Sequence, residues 1–145
     1  MIRFFSRFVL ASLVALAGCG AIPNSNIVKL SGTLSSSSEV PLNASTASGT
    51  VEATLNKDTN ALTWKVVYSG LSGPAGAGHF HGPAESGKNA GVVLGFKGSV
   101  ESPITGEAVL TPAQVADVLA GKWYVNLHTK ANPGGEIRAQ VTANK

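Results

Sequence analysis

The chain has 145 residues, with 11 basic and 8 acidic side chains, a formal charge of +3 and a single cysteine. It has no Lys/Arg cluster and no basic stripe interleaved with aromatics, which argues against a nucleic-acid partner. One cysteine excludes an internal disulfide, so the fold must rest on its hydrophobic core.

The chain opens on what reads as a targeting segment. Arg3 and Arg7 form a positive start, Phe8 to Ala17 an apolar run, and Leu16-Ala17-Gly18 places small residues before the lone Cys19. This ending looks like a bacterial lipobox, the signal for cleavage before Cys19 and lipid attachment to its sulfur. An ordinary secretory signal with a stray cysteine is the alternative. The expectation is a lipoprotein signal peptide over residues 1–18, a lipidated tether over 19–27 and one domain over 28–145. Gly20 after the cysteine, in place of aspartate, leans towards an outer membrane, with the domain facing the periplasm or the cell surface. Processing would remove Arg3 and Arg7 and lower the formal charge from +3 to +1. No later stretch approaches the roughly 18 continuous apolar residues of a spanning helix, so the lipid is the expected membrane partner.

The remaining residues are rich in glycine, serine, threonine and valine and poor in helical periodicity, which points to β structure. Ile27 to Leu34 is a first strand, and Ser35 to Pro41 a polar loop. Val51, Ala53 and Leu55 alternate with Thr50, Glu52 and Thr54. Trp64, Val66 and Tyr68 share a side of the next run, so residues 50–68 read as a hairpin about Lys57-Asp58-Thr59-Asn60. Ser69 to Gly78 is a glycine-rich connection into a short His79–His81 strand, which Gly82-Pro83 stops because proline cannot donate to a ladder. Val92 to Phe96 and Thr105 to Leu110 are two more strands. Thr111-Pro112-Ala113-Gln114 carries a threonine N-cap and a proline at the first helical position. Val115, Val118 and Leu119 give this one helix an apolar side, and Gly121 ends it. Trp123 to His128 and Glu136 to Thr142 close the chain. About eight short strands and one helix make an all-β domain, an antiparallel Greek-key sandwich or barrel.

All three histidines fall in two of these strands. His79 and His81 share a face roughly 6–7 Å apart, with Phe80 pointing the other way. The same alternation separates Trp123, Val125 and Leu127 from Tyr124, Asn126 and His128. A His-x-His pair with one distant histidine is a three-nitrogen constellation suited to copper or zinc. If the apolar phase is the core, these histidines lie on the outside, walled by residues 69–78, 84–90 and 129–135. Glu136, Asn126 and Arg138 are the candidates to support the imidazoles from behind. Glu136 and Arg138 are also same-face neighbours that would form an ion pair. Three unrelated surface histidines are the bland alternative.

Three blocks carry a resemblance: Ala77-Gly78-His79-Phe80-His81-Gly82-Pro83-Ala84, Trp123 to Thr129, and Pro133-Gly134-Gly135-Glu136-Ile137-Arg138-Ala139-Gln140-Val141. With Glu39-Val40-Pro41 and Ala47-Ser48-Gly49-Thr50 they resemble the CHRD domain, the module named after the animal protein chordin, over roughly residues 28–143. Ala139 departs from the family's more frequent glycine. The resemblance implies a β-sandwich-like fold and an extracytoplasmic setting, and it supplies no reaction. The His-x-His strand followed by a distant histidine is also similar to the copper ligands of copper–zinc superoxide dismutases. Those enzymes use a fourth histidine at copper, and further histidines and an aspartate at zinc, which three histidines in all cannot provide. Two functions follow as expectations: a lipoprotein holding copper or zinc through His79, His81 and His128, or a non-enzymatic module that docks a protein partner without metal.

Overall fold

The computed structural model describes residues 26–144. The proposed signal segment and Cys19 lie outside the described residues. Strands β1 (Ile27–Ser35), β2 (Ser48–Asn56) and β3 (Ala61–Ser69) form a meander, with β2 and β3 pairing from Ser48↔Ser69 to Asn56↔Ala61. Strands β4 (Ala75–His81), β5 (Val92–Gly95), β6 (Ile104–Val109), β7 (Trp123–Thr129) and β8 (Ile137–Ala143) complete one antiparallel sheet in the order β5-β4-β7-β8-β1-β2-β3-β6.

The sheet curls, because strands near its opposite ends touch. Trp64 of β3 meets Phe80 of β4 edge-on at 5.2 Å between ring centroids, and Phe96 stacks on Trp64 at 5.6 Å. Their meeting closes a half-barrel whose inner face is the core. Leu30, Leu34, Val51, Leu55, Leu62, Trp64, Val66, Phe80, Trp123, Val125, Leu127 and Ile137 are all buried there. These are the apolar phases of the alternating strands, so pattern and packing agree for β1 to β3, β7 and β8. No helix among the described residues is long and apolar enough to cross a membrane.

Helix α1 (Pro112–Leu119) starts on the expected cap. The Thr111 hydroxyl accepts from the Gln114 amide while the Gln114 side chain accepts from the Thr111 amide, a reciprocal pair that satisfies two otherwise orphaned donors. Gly121 follows at φ +69°, where a side chain would be strained. Val118 is the residue it buries and Val115 packs partly beside it, whereas Leu119 stays substantially exposed.

Strand β4 begins at Ala75, earlier than the glycine-rich stretch suggests. Gly78 is a packing glycine, not a turn glycine. A Cβ there would stand 2.7 Å from the Phe96 ring and 2.8 Å from Leu127 Cδ2, so only hydrogen lets the ring lie against the strand.

The histidines lie on the outer face of the sheet, as the alternation predicts, but that face is more covered than the sequence suggests. Tyr124 and Asn126 are buried on the outer side of β7, as Trp123, Val125 and Leu127 are on the inner side, and His81 is buried, while His79 and His128 stay half-buried. Residues 36–47, 82–91 and 130–136 fold over this outer face as a roof, tied down by the contacts described below.

Trp123 is 1 % exposed and touches Phe80 across the core at 5.7 Å between centroids. Trp123→Ala is expected to cost about 3–5 kcal/mol in chemical denaturation. A change under about 1 kcal/mol would contradict its place in the core.

Candidate metal centre

The ladder between β4 and β7 sets the histidines side by side. His79 pairs with Asn126, Ala77 with His128 and His81 with Tyr124, so the outer-face side chains of the two strands interleave diagonally. His79 Nδ1 lies 3.1 Å from His128 Nε2, and the His79 and His81 rings are 5.5 Å apart between centroids. One nitrogen from each of His79, His81 and His128 can be chosen so that all lie within 4.8 Å of one another. Nitrogens about a tetrahedral zinc at 2.0–2.1 Å stand roughly 3.3 Å apart, so one pair already has this spacing and the third needs a small side-chain movement. The three residues singled out by sequence therefore converge.

Backbone carbonyls orient two of the rings. His81 Nδ1 is 3.0 Å from the Ala90 carbonyl and His128 Nδ1 is 2.9 Å from that of Pro133. A carbonyl only accepts, so each Nδ1 is assigned the proton and each Nε2 the lone pair, which in His128 faces His79 Nδ1. His81 Nε2 is buried with no hydrogen-bond partner, an arrangement that costs free energy unless something fills it. Burial lowers the pKa of His79, assisted by the neighbouring His128 and His81. Burial also lowers that of His128, against the Pro133 hydrogen bond, with His81 and Arg138 adding to the lowering. Both changes favour the neutral imidazole that coordinates a metal.

Tyr124, which sequence reasoning left out of the site, supports His81. Their rings stack at 4.9 Å and are nearly parallel at 3°. The Tyr124 hydroxyl accepts from the Ala90 amide at 3.1 Å and donates to its carbonyl at 3.3 Å, the same oxygen that meets His81 Nδ1. The available signal was an aromatic residue on the polar phase of β7.

Glu136, Asn126 and Arg138 have other duties than the expected one. Among the described hydrogen bonds none of them reaches an imidazole. Arg138 pairs with Glu39 at 3.0 Å, not with Glu136, and this ion pair is almost wholly buried. The same guanidinium donates to the Asn89 side chain at 2.6 Å and to the Lys88 carbonyl at 3.2 Å, and lies 4.1 Å over the Tyr124 ring. Arg138 thus fastens two roof segments and caps the Tyr124–His81 stack. Burial raises the Glu39 pKa, with the Arg138 charge working against it. Asn126 is buried beside Gly135, where φ is +130° and a Cβ would meet the Glu39 carboxylate and the Asn126 amide.

Glu136 is fully buried and accepts five hydrogen bonds: from the Ser45 hydroxyl, the Ser72 amide and hydroxyl, the Thr129 hydroxyl and the Asn132 amide group. It clamps three loops to the start of β8. Burial alone would raise its pKa; the Ser72, Thr129 and Ser45 donors overcome that and lower it to about 2.

Against known proteins, the CHRD domain family matches residues 30–141, which is most of the chain. The chain belongs to the CHRD family. No curated protein and no solved structure matches it. The family places the histidine-bearing strands and the β8 block inside one domain.

Because the folded Glu136 carboxyl titrates far below its ordinary value, its contribution is complete above about pH 4.5 and is lost as pH falls towards 2. Removing the acid in Glu136→Gln should lower stability at pH 7 by roughly 2–3 kcal/mol and flatten the acid limb of the stability profile. An unchanged acid limb in urea denaturation between about pH 2 and 5 would contradict the clamp.

Proposed function

We propose that this CHRD domain holds one copper or zinc ion through His79, His81 and His128, in a protein exported and anchored by lipid at Cys19. The observation that carries the metal reading is the buried, unpartnered Nε2 of His81 beside the 3.1 Å contact of His79 and His128. Two of the rings have their second nitrogen turned to a carbonyl, as metal-bound imidazoles commonly do. Three neutral imidazoles suit copper and zinc alike, so ligand chemistry does not choose between them. A module that only docks a protein would gain nothing from an orphaned ring nitrogen in a polar cluster, and so the metal reading is preferred.

Protein purified without a histidine tag should bind one equivalent of copper or zinc, measured by elemental analysis and titration. Alanine at any of the three histidines should weaken binding about 100-fold or more, and Tyr124→Phe by a smaller factor, about 10-fold, because the oriented carbonyl is loosened. Binding should fall on acidification, as protons come to compete with the ion for the imidazoles. Absence of metal binding by the folded protein would overturn the proposal.

The anchoring half rests on Leu16-Ala17-Gly18-Cys19. Wild-type protein expressed in a bacterium should incorporate labelled palmitate and fractionate with membranes, and Cys19→Ser should accumulate as unprocessed precursor. Lipid-free wild-type protein in the soluble fraction would exclude it.

A further inference from the structure

The three imidazoles leave one side of their meeting point open, and that side has a definite character. His79 and His128 line a groove of about 620 Å³ whose other walls include Pro74, Ala75, Ala77 and Pro133, with Lys130 at its margin. His81 is not part of that lining. It is 8 % exposed and held between the Tyr124 ring and the Ala90 backbone. The groove therefore offers a ligand from outside a route to the centre past His79 and His128.

The protein itself does not complete the site. No further His, Cys, Asp or Glu joins the three among the described residues. The two buried carboxylates lie outside this group: Glu136 accepts from five donors and Glu39 pairs with Arg138 through Oε2. A lysine ammonium, such as Lys130 would bring, has no lone pair to offer. A divalent ion on three neutral rings keeps its full double charge, which favours an anionic fourth ligand. The walls of the groove are mostly apolar, which favours an anion with an apolar body over a hydrated inorganic one.

Resting on the metal reading above, we infer that this groove is a binding site for a small organic carboxylate, whose oxygen takes the open position on the ion while its apolar body lies against Pro74, Ala75, Ala77 and Pro133. Lys130 supplies a second positive charge at the margin.

The test uses untagged protein loaded with one equivalent of cobalt(II), whose visible spectrum reports its ligands, titrated with benzoate and with acetate. Benzoate should shift the spectrum saturably and bind about tenfold more tightly than acetate, since its ring buries apolar area in the groove. Lys130→Gln should weaken benzoate about two- to threefold and leave the cobalt stoichiometry at one. Cobalt held at one equivalent with a spectrum that benzoate does not move overturns the carboxylate site and leaves the metal reading standing. Equal affinity for benzoate and acetate overturns the role of the apolar walls. Failure to hold cobalt, copper or zinc at all removes the metal reading and the carboxylate site with it.

Discussion

Strand β7 is buried on both faces, and most of what is particular to this domain follows from that. Its inner side chains, Trp123, Val125 and Leu127, need only the apolar core of the half-barrel. Its outer ones, Tyr124, Asn126 and His128, are polar or titratable; the first two are roofed by loops and His128 is half-covered. Polar groups removed from water must find partners or cost free energy. The Tyr124 hydroxyl therefore closes on Ala90, the His128 ring on Pro133, and Arg138 draws Glu39 and Asn89 down onto the sheet. The roof is held by the same contacts that orient the histidines, so packing and site are one problem solved once.

The two buried carboxylates show how differently the roof treats the same chemical group. Glu136 is surrounded by hydroxyl and amide donors, which stabilise its charge so well that the pKa falls to about 2 despite burial. Glu39 has the Arg138 guanidinium for a partner, yet desolvation prevails and its pKa rises. A buried ion pair of this kind contributes little net stability while intact, but losing one partner strands a charge, at a cost of about 3–5 kcal/mol. Its value here is positional. It fixes Arg138 over Tyr124, and Tyr124 against His81. Arg138 also leaves a positive charge near the imidazoles, which helps keep His128 neutral.

The features legible in the sequence are those set by local physics. Alternation assigns the inner phase of β2, β3, β7 and β8, a threonine followed by proline marks the start of α1, and His-x-His on a strand announces two side chains on one face. Three other features depend on residues far apart in the chain. Whether Gly78 bends the backbone or admits an aromatic ring cannot be told without knowing that Phe96 lies over it. Glu136 and Arg138 sit two apart on one strand face and invite pairing, yet each is taken by partners from distant loops, Ser45 and Ser72 for one and Glu39 for the other. The outer phase of β7 reads as solvent-facing because a polar residue looks the same in sequence whether water or a folded loop satisfies it.

That roof also bears on what an ion would contribute to the domain. In a small zinc module the metal gathers ligands from segments that have no other reason to meet, so binding and folding are one event. Here β4 and β7 are already paired from Ala75↔Thr129 to His81↔Tyr124, and the core beneath them is complete without any ion. The ladder brings His79 to within 3.1 Å of His128, and the roof holds His81 in plane against Tyr124. Most of the entropy cost of assembling the ligands is thus met by the fold, and binding energy need not be spent on ordering the chain. A site prepared in this way would release an ion without unfolding. That property would suit the proposed centre, whose outermost ligand would come from the surroundings.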